Sequence, residues 1–159
     1  MRKIEWLDKV VKKHMEVKEM QNYKSDYREV IKNSYLDKVE ELWGMFREFY
    51  DLAKDKFIVA KIFTARENEM YLVIGDIEIH GLTASMENKD GFYGVAKVNI
   101  KYLNSNQVGN VHFDYLLLGY VNGVPSWIYR DYVNDIVSDV IFTPKDVERV
   151  FKSAFSIYQ

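Results

Sequence analysis

The chain contains no cysteine, and this absence excludes several classes of function. Without thiols there is no disulfide, no thiolate nucleophile, no cysteine-bound zinc and no iron–sulfur cluster. A small secreted domain held together by disulfides is therefore excluded, and a cytoplasmic location is favoured. The sequence predicts neither a cofactor nor a metal site.

Long apolar runs and a strong net charge are also missing. No stretch approaches the ~18 consecutive apolar residues of a membrane span. Residues 1–17 carry a charge every few positions, unlike the apolar core of a signal peptide. The net charge of −2 argues against electrostatic binding to nucleic acid or to an anionic membrane. We therefore expect neither of these as a partner.

Proline and glycine are scarce, with 2 and 8 residues respectively. No linker, repeat or low-complexity segment marks a domain boundary. With 159 residues, 48% of them apolar, the chain is long enough to bury a core. We predict one domain, 1–159, comprising a helical segment at 3–54, a sheet at 56–130 and a helix at 144–157.

The first third of the chain has helical periodicity. Apolar residues recur at helical spacing over 3–22 and more strongly over 26–54. A break is expected at 22–25, and a second interruption near Ser34 leaves open whether 26–54 is one helix or two. A stripe of large side chains in this segment is typical of core packing, and it comprises Trp43, Phe46 and Tyr50. The alternative is that the stripe binds a partner protein in a groove.

From residue 56 onward the pattern changes to β-strands separated by turns. The strongest signal is Asn122-Gly123, which lies between the apolar runs of Val111–Arg130 and predicts a two-residue hairpin. Asn88–Gly91 is a second turn. Gly75-Asp76 predicts either another tight hairpin or a glycine bulge in one long strand. Residues 131–142 fit a helix or a strand equally well.

The resulting fold class is α+β: two or three N-terminal helices, an antiparallel meander of about five to seven strands, and a C-terminal helix. That helix begins cleanly at 143–146, Thr-Pro-Lys-Asp, with a capping threonine and proline in the first turn. The order of elements resembles the layout of NTF2-like and cystatin-like curved-sheet folds. This resemblance implies a cleft over a curved sheet, but a fold does not fix a function.

The hairpin at Val111–Arg130 also suggests an interaction surface. Its register sets Pro125 opposite Tyr120 at a non-hydrogen-bonded position, which predicts that Val124–Tyr129 is an edge strand, at least at that end. Exposed edges accept strands from partners. The chain has 12 tyrosines, more than one core easily hides. The protein-binding candidates are Tyr93, Pro125, Trp127 and Tyr129.

A polar cluster is the second candidate site. The turn at Asn88–Gly91 pairs Ile79 with Ile100, which sets His80 beside Asn99 and Glu78 beside Lys101. Setting Ile100 opposite Phe113 adds Asp114 to the first row and His112 to the second. The catalytic candidates are His80, His112, Asp114 and Glu78, and the ligand-binding candidates are Asn99, Lys101 and Tyr120. The alternative is an ordinary solvated sheet face, since a one-residue slip in the second register separates the cluster.

Two functional hypotheses follow. The first is a small cytoplasmic, non-enzymatic protein-binding module of inhibitor or adaptor type, acting through a tyrosine-rich surface or an edge strand. The same features are compatible with a homodimer. The alternative is a small-molecule-binding or hydrolytic domain that uses the His/Asp/Glu cluster in a cleft. The sequence leaves catalysis open and favours a non-enzyme.

Overall fold

The first helix is longer than the sequence predicts. The computed structural model describes residues 5–66, 68–133 and 135–158. Helix α1 spans Glu5–Ala53 and is followed by a 3-10 turn at Lys54–Lys56. The break expected at 22–25 is absent, because neither glycine nor proline occurs there, and asparagine and serine cost a helix only tenths of a kcal/mol. The chain divides within α1, at Ser34/Tyr35, into two compact units.

The first unit presents an exposed apolar stripe. The described side chains that were expected to form a buried face are largely accessible to solvent: Leu7, Val10, Val11 and Met15. The helical periodicity is therefore present without burial inside this unit. None of the helices in the described residues is both long and apolar enough to span a membrane.

The second unit contains an antiparallel sheet of eight strands and the C-terminal helix. The strands are β1 (Ala60–Arg66), β2 (Glu69–Ile74), β3 (Ile77–Lys89), β4 (Phe92–Tyr102), β5 (Val108–Gly109), β6 (Leu116–Val121), β7 (Val124–Val133) and β8 (Ile136–Ile141). Their order in the sheet is β1-β2-β3-β4-β6-β7-β8, and β5 pairs with β4. Helix α2 spans Pro144–Ala154 and ends in a 3-10 turn at Phe155–Tyr158. The α+β class with an antiparallel meander is thus confirmed.

Tight turns fix the strand registers. Asn122 and Gly123 both have positive φ, as a type I′ hairpin requires, and the predicted partners Leu117 and Ile128 face each other. Gly75 turns the chain between β2 and β3, so the long-strand alternative is wrong. The loop predicted at Asn88–Gly91 is shorter than expected, because β3 continues to Lys89.

The predicted edge strand is an edge in its first part and is covered by another strand in its second part. From Ile128 onward β7 pairs with β8, and at Ile128 it pairs with β6 as well, so the expectation of an edge fails from Ile128 onward. Val124–Trp127 precede the first of these pairs, so the edge predicted at the end marked by Pro125 is present. The sequence missed β8 because its segment, 131–142, reads equally well as a helix.

The core lies between one face of the sheet and two helices. The second part of α1 buries Leu42, Trp43 and Phe46, and α2 buries Val150 and Phe151. Core packing of the stripe on α1 is therefore confirmed. Trp127 on β7 donates its indole N–H to the main-chain oxygen of Lys38 on α1, at 2.8 Å. This bond ties a buried strand directly to the helix.

Gly81 allows α1 to approach the sheet closely. A Cβ atom at this position would lie 2.5 Å from Cη2 of Trp43, well inside van der Waals contact. The indole of Trp43 is only 2% exposed and has no room to move away. Glycine at 81 is therefore required by packing and not by backbone conformation.

We predict that Gly81→Ala lowers the free energy of unfolding by about 1–3 kcal/mol, because the added methyl overpacks the core against Trp43. The matched control is Gly44→Ala on α1, where nothing lies within 4 Å of the new Cβ. This variant should gain about 0.5–1 kcal/mol from helix propensity. Urea denaturation of both variants measures the difference, and equal stability of the two would contradict the packing argument.

Candidate functional site

Strand β4 has a gap in its pairing at the centre of the sheet. On one side it pairs continuously with β3 from Ile77↔Tyr102 to Ser85↔Gly94. On the other side β6 pairs with it only up to Ala96, and β5 begins only at Ile100. Among the described residues, none pairs with 97–99 on that side.

Val98 directs its main-chain groups into this gap. In an antiparallel ladder, alternate residues point both peptide groups toward the same neighbour. Tyr102 donates its N–H to the Gln107 carbonyl on the β5 side, so Ile100 and Val98 face the same way. Because the Val98 side chain is buried in the core, its N–H and C=O are the groups it offers to the gap.

A groove of about 560 Å³ opens at this gap, and we call it the β4 groove. Its walls are the outer ends of β3 and β4, the loop that contains β5, and the chain entering β6. It is lined by Glu78, His80, Lys97, Val98, Asn99, Ile100, Lys101, Ser105, Asn106, Gln107, Val108, Gly109, Asn110, Val111, Phe113 and Asp114. The volume falls in the range of about 300–1,000 Å³ that is typical of small-molecule sites.

His80 is held in place by neighbours on β2. Its Nε2 lies 2.8 Å from Oε1 of Glu69, which also accepts a 2.6 Å hydrogen bond from the hydroxyl of Tyr71. The imidazole stacks on the Tyr71 ring at 4.4 Å, and Phe63 on β1 stacks on the other side of Tyr71 at 5.1 Å. These contacts fix the orientation of an imidazole that lines the β4 groove and remains partly exposed.

The gap exists because the chain before β6 is attached to α2 instead of to β4. Ser153 on α2 donates its hydroxyl to the main-chain oxygen of Asn110 at 2.7 Å. His112 lies with Nε2 3.1 Å from Oδ1 of Asp146. Phe113 is buried and contacts Phe142 edge to face. Two contacts with α2 and one with Phe142, just before it, thus hold residues 110–113 beside the helix.

Asp146 is the centre of a buried polar network at the start of α2. Its Oδ2 accepts hydrogen bonds from the N–H and the hydroxyl of Thr143, at 2.9 and 3.2 Å, which is the capping-box arrangement. Its Oδ1 accepts the hydroxyl of Tyr129 at 2.8 Å and faces His112. One carboxylate therefore joins a helix terminus, a strand and the segment before β6.

Burial and hydrogen bonding shift the ionisation of this network. Burial lowers the pKa of His112, although the bond to Asp146 opposes that shift. Burial acts to raise the pKa of Asp146, but hydrogen bonds from Thr143, Tyr129 and His112 outweigh it and the pKa is lowered. Burial and the neighbouring carboxylate raise the pKa of Tyr129 to about 12. At neutral pH the network holds a carboxylate and a neutral imidazole.

Part of the predicted polar cluster comes together. The register of β3 with β4 is the predicted one, with Glu78↔Lys101 and His80↔Asn99. These four side chains line the β4 groove, and Asp114 lines it with them. Five of the seven candidate residues nominated from sequence for catalysis or ligand binding therefore share one groove.

The other two candidates lie elsewhere. The β4–β6 register is shifted by one residue from the predicted one, with Ala96↔Leu116, and residues 110–115 lie outside the strands. His112 therefore does not face Lys101, and the predicted row of Glu78, Lys101 and His112 does not form. Tyr120 lies in β6 opposite Pro125 and does not line the groove.

Three of the four protein-binding candidates are in the core. Tyr93, Trp127 and Tyr129 are 1%, 2% and 7% exposed, so the surface expected from them is not present. Trp127 and Tyr129 are on β7, where Trp127 bonds to Lys38 on α1 and Tyr129 bonds to Asp146 on α2. Pro125 alone is partly exposed.

Two elements of the site were missed from the sequence. The Val98 gap was missed because it depends on where residues 110–113 attach, and the polar loop Asn104–Asn110 signals only that the chain leaves the sheet. Asp146 belongs to the predicted helix start at 143–146, but its contact with His112 spans 34 residues and has no local signature.

The arrangement has no counterpart among the proteins with which it was compared. Family models, curated proteins and solved structures all give no match. Within the described residues, no group of three or more histidine or acidic side chains is arranged to hold a metal ion. The geometry of the β4 groove is therefore the basis for a functional proposal.

We predict that the free energy of unfolding falls as the pH drops below 6.5. The pKa of folded His112 lies below its ordinary value of 6.5, so the unfolded chain takes up this proton first. One such proton gives a slope of up to about 1.4 kcal/mol per pH unit. Urea denaturation between pH 5 and 8 measures the slope.

The matched variant is His112→Gln, which keeps a side-chain donor and does not titrate. Its stability should be lower at pH 7.5 but should fall less steeply between pH 6.5 and 5. NMR titration of the His112 ring protons should give a midpoint below 6.5. Equal slopes for the two proteins would show that His112 does not govern the acid sensitivity.

Proposed function

We propose that the protein binds a small zwitterionic, peptide-like molecule in the β4 groove. The observation that carries this proposal is the unpaired peptide group of Val98 at the gap in β4. In the hydrogen-bonded pairs of an antiparallel ladder, such a residue exchanges both bonds with a single residue opposite. A ligand that supplies one extended residue, with its N–H and C=O, completes the ladder.

The charges around the groove support a ligand that carries both signs. Lys97 and Lys101 on β4 can hold a carboxylate, and Glu78 and Asp114 can hold an ammonium group. A free dipeptide or an amino-acid amide carries these groups on either side of a peptide unit. Charged hydrogen bonds of this kind fix the orientation of a small ligand.

His80 gives the site a directional polar group. Because Glu69 and Tyr71 fix the imidazole, it binds a ligand without losing side-chain freedom on association. Asn99 lies opposite it in the β3–β4 register and supplies an amide that both donates and accepts.

The groove is better supported than the protein-binding surface. The surface hypothesis rests on Tyr93, Trp127 and Tyr129, which the fold buries. The groove hypothesis rests on polar residues that the fold leaves accessible at a place where main-chain hydrogen bonds are incomplete. We therefore give small-molecule binding precedence over an inhibitor or adaptor role at that surface.

We predict that dipeptides and amino-acid amides raise the melting temperature in a thermal-shift screen. A ligand present at a hundred times its dissociation constant stabilises the native state by about 2.7 kcal/mol. For a chain of this length that is roughly 5–10 °C. N-methylation of the ligand's peptide nitrogen should abolish the shift in melting temperature, because the ligand would then have no N–H to donate to the Val98 carbonyl.

Lys101→Ala should weaken the same ligands, whereas Lys152→Ala, an exposed lysine on α2, should not. Asn99→Trp should abolish binding by filling the groove while leaving the fold intact, as circular dichroism would show. The proposal fails if no compound in the panel shifts the melting temperature, or if N-methylated and parent ligands bind equally.

A further inference from the structure

Strand β8 ends the sheet with one side unpaired. Its six residues pair with β7 in continuous register, from Ile128↔Ile141 to Val133↔Ile136. On the other side, no described residue pairs with it. Such an edge presents a row of free main-chain donors and acceptors to whatever strand approaches it.

The direction of the free groups follows from one hydrogen bond. Phe142 donates its N–H to the Trp127 carbonyl on β7 at 2.8 Å. Because peptide directions alternate along a strand, Val140 and Ser138 also face β7. The peptide groups of Val137, Asp139 and Ile141 therefore point away from the sheet.

The two edges of the sheet differ in how they are protected. Exposed edges commonly carry lysine, proline or a bulge that discourages pairing. The β1 edge has Lys61 and a register shift between Thr64 and Arg66. The β8 edge has no such irregularity, and its side chains Ile136 and Val137 are 68% and 54% exposed. The β8 edge is therefore exposed and apolar, and a further strand can form hydrogen bonds with it.

A second copy of this chain is a poor partner for β8. The two-fold antiparallel register that uses all three outward peptide groups sets Val137 opposite Ile141 of the copy and Asp139 opposite its own equivalent. Like charges placed directly opposite each other destabilise a strand pair. The charge at the centre of β8 therefore disfavours self-pairing.

The charge of the β7–β8 hairpin selects a basic partner. Residues 128–141 contain Arg130 against Asp131, Asp135 and Asp139, which is one positive charge against three negative ones. The single cation lies 3.8 Å from Asp139, with both side chains about half exposed. The hairpin thus keeps an excess of negative charge beside an apolar edge.

We propose that β8 binds an extended segment of another protein that adds a strand to the sheet. The segment carries a lysine or arginine opposite Asp139 and apolar side chains two residues to either side, opposite Val137 and Ile141. Main-chain hydrogen bonds supply affinity, and the alternate side chains supply specificity. This surface is separate from the β4 groove and does not depend on it.

The test uses a fluorescent nine-residue peptide of threonines with two valines flanking a central lysine, in the order Thr-Thr-Val-Thr-Lys-Thr-Val-Thr-Thr. Its partner peptide has glutamate in place of lysine. Anisotropy at low salt should show the lysine peptide binding about fivefold more tightly. Asp139→Lys should reverse this preference. Glu148→Lys, which makes the same charge change on α2, should preserve it.

A second variant tests the pairing itself. Asp139→Pro removes an outward N–H and an exposed ion pair but no main-chain hydrogen bond to β7, so it should abolish peptide binding while circular dichroism and the melting temperature stay close to those of the parent. The proposal is overturned if neither peptide binds, if both bind equally, or if Asp139→Pro binds normally. It is also overturned if sedimentation shows a dimer that Asp139→Pro dissociates, because β8 would then pair with a second copy.

Discussion

The carboxylate of Asp146 organises the C-terminal half of the sheet. It accepts hydrogen bonds from the first turn of α2 and from Tyr129 on β7, and it faces His112 before β6. A buried charge is tolerated only when it is satisfied in this way. Because this attachment holds the chain before β6 on the helix, that chain does not complete the ladder of β4. The groove is therefore a consequence of how α2 is fastened.

The strands and turns could be predicted because their causes are local. Asn122-Gly123 requires two residues with positive φ, and that single constraint sets Leu117 opposite Ile128. The start of α2 follows in the same way from the residues at 143–146. The continuity of α1 was not predictable, because weak breakers at 22–25 are tolerated at a cost of tenths of a kcal/mol.

The site was predictable only where it depends on a short turn. The β3–β4 register follows from the turn near Asp90 together with a register shift between Ser85 and Lys89, and the four-residue loop predicted at Asn88–Gly91 gives the same pairing of His80 with Asn99. The β4–β6 register depends on a long loop and on contacts with α2, and a one-residue difference moves every side chain to the other face. His112 illustrates this: its partner is 34 residues away, at the start of a helix. The burial of Tyr93 and Trp127 likewise depends on how the helices pack on the sheet. No local sequence pattern determines that packing.

The meander has a consequence for how the chain reaches this fold. Three of its strand pairs close through turns of about two residues, at Gly75-Asp76, Asp90-Gly91 and Asn122-Gly123. Such loops cost little closure entropy, and hairpins form in about 1–10 μs. The β4–β6 joint is different, because residues 103–115 must be closed before it pairs. The joint between β1–β4 and β6–β8, beside the β4 groove, is therefore the least local pairing of the meander and the one with the largest closure entropy.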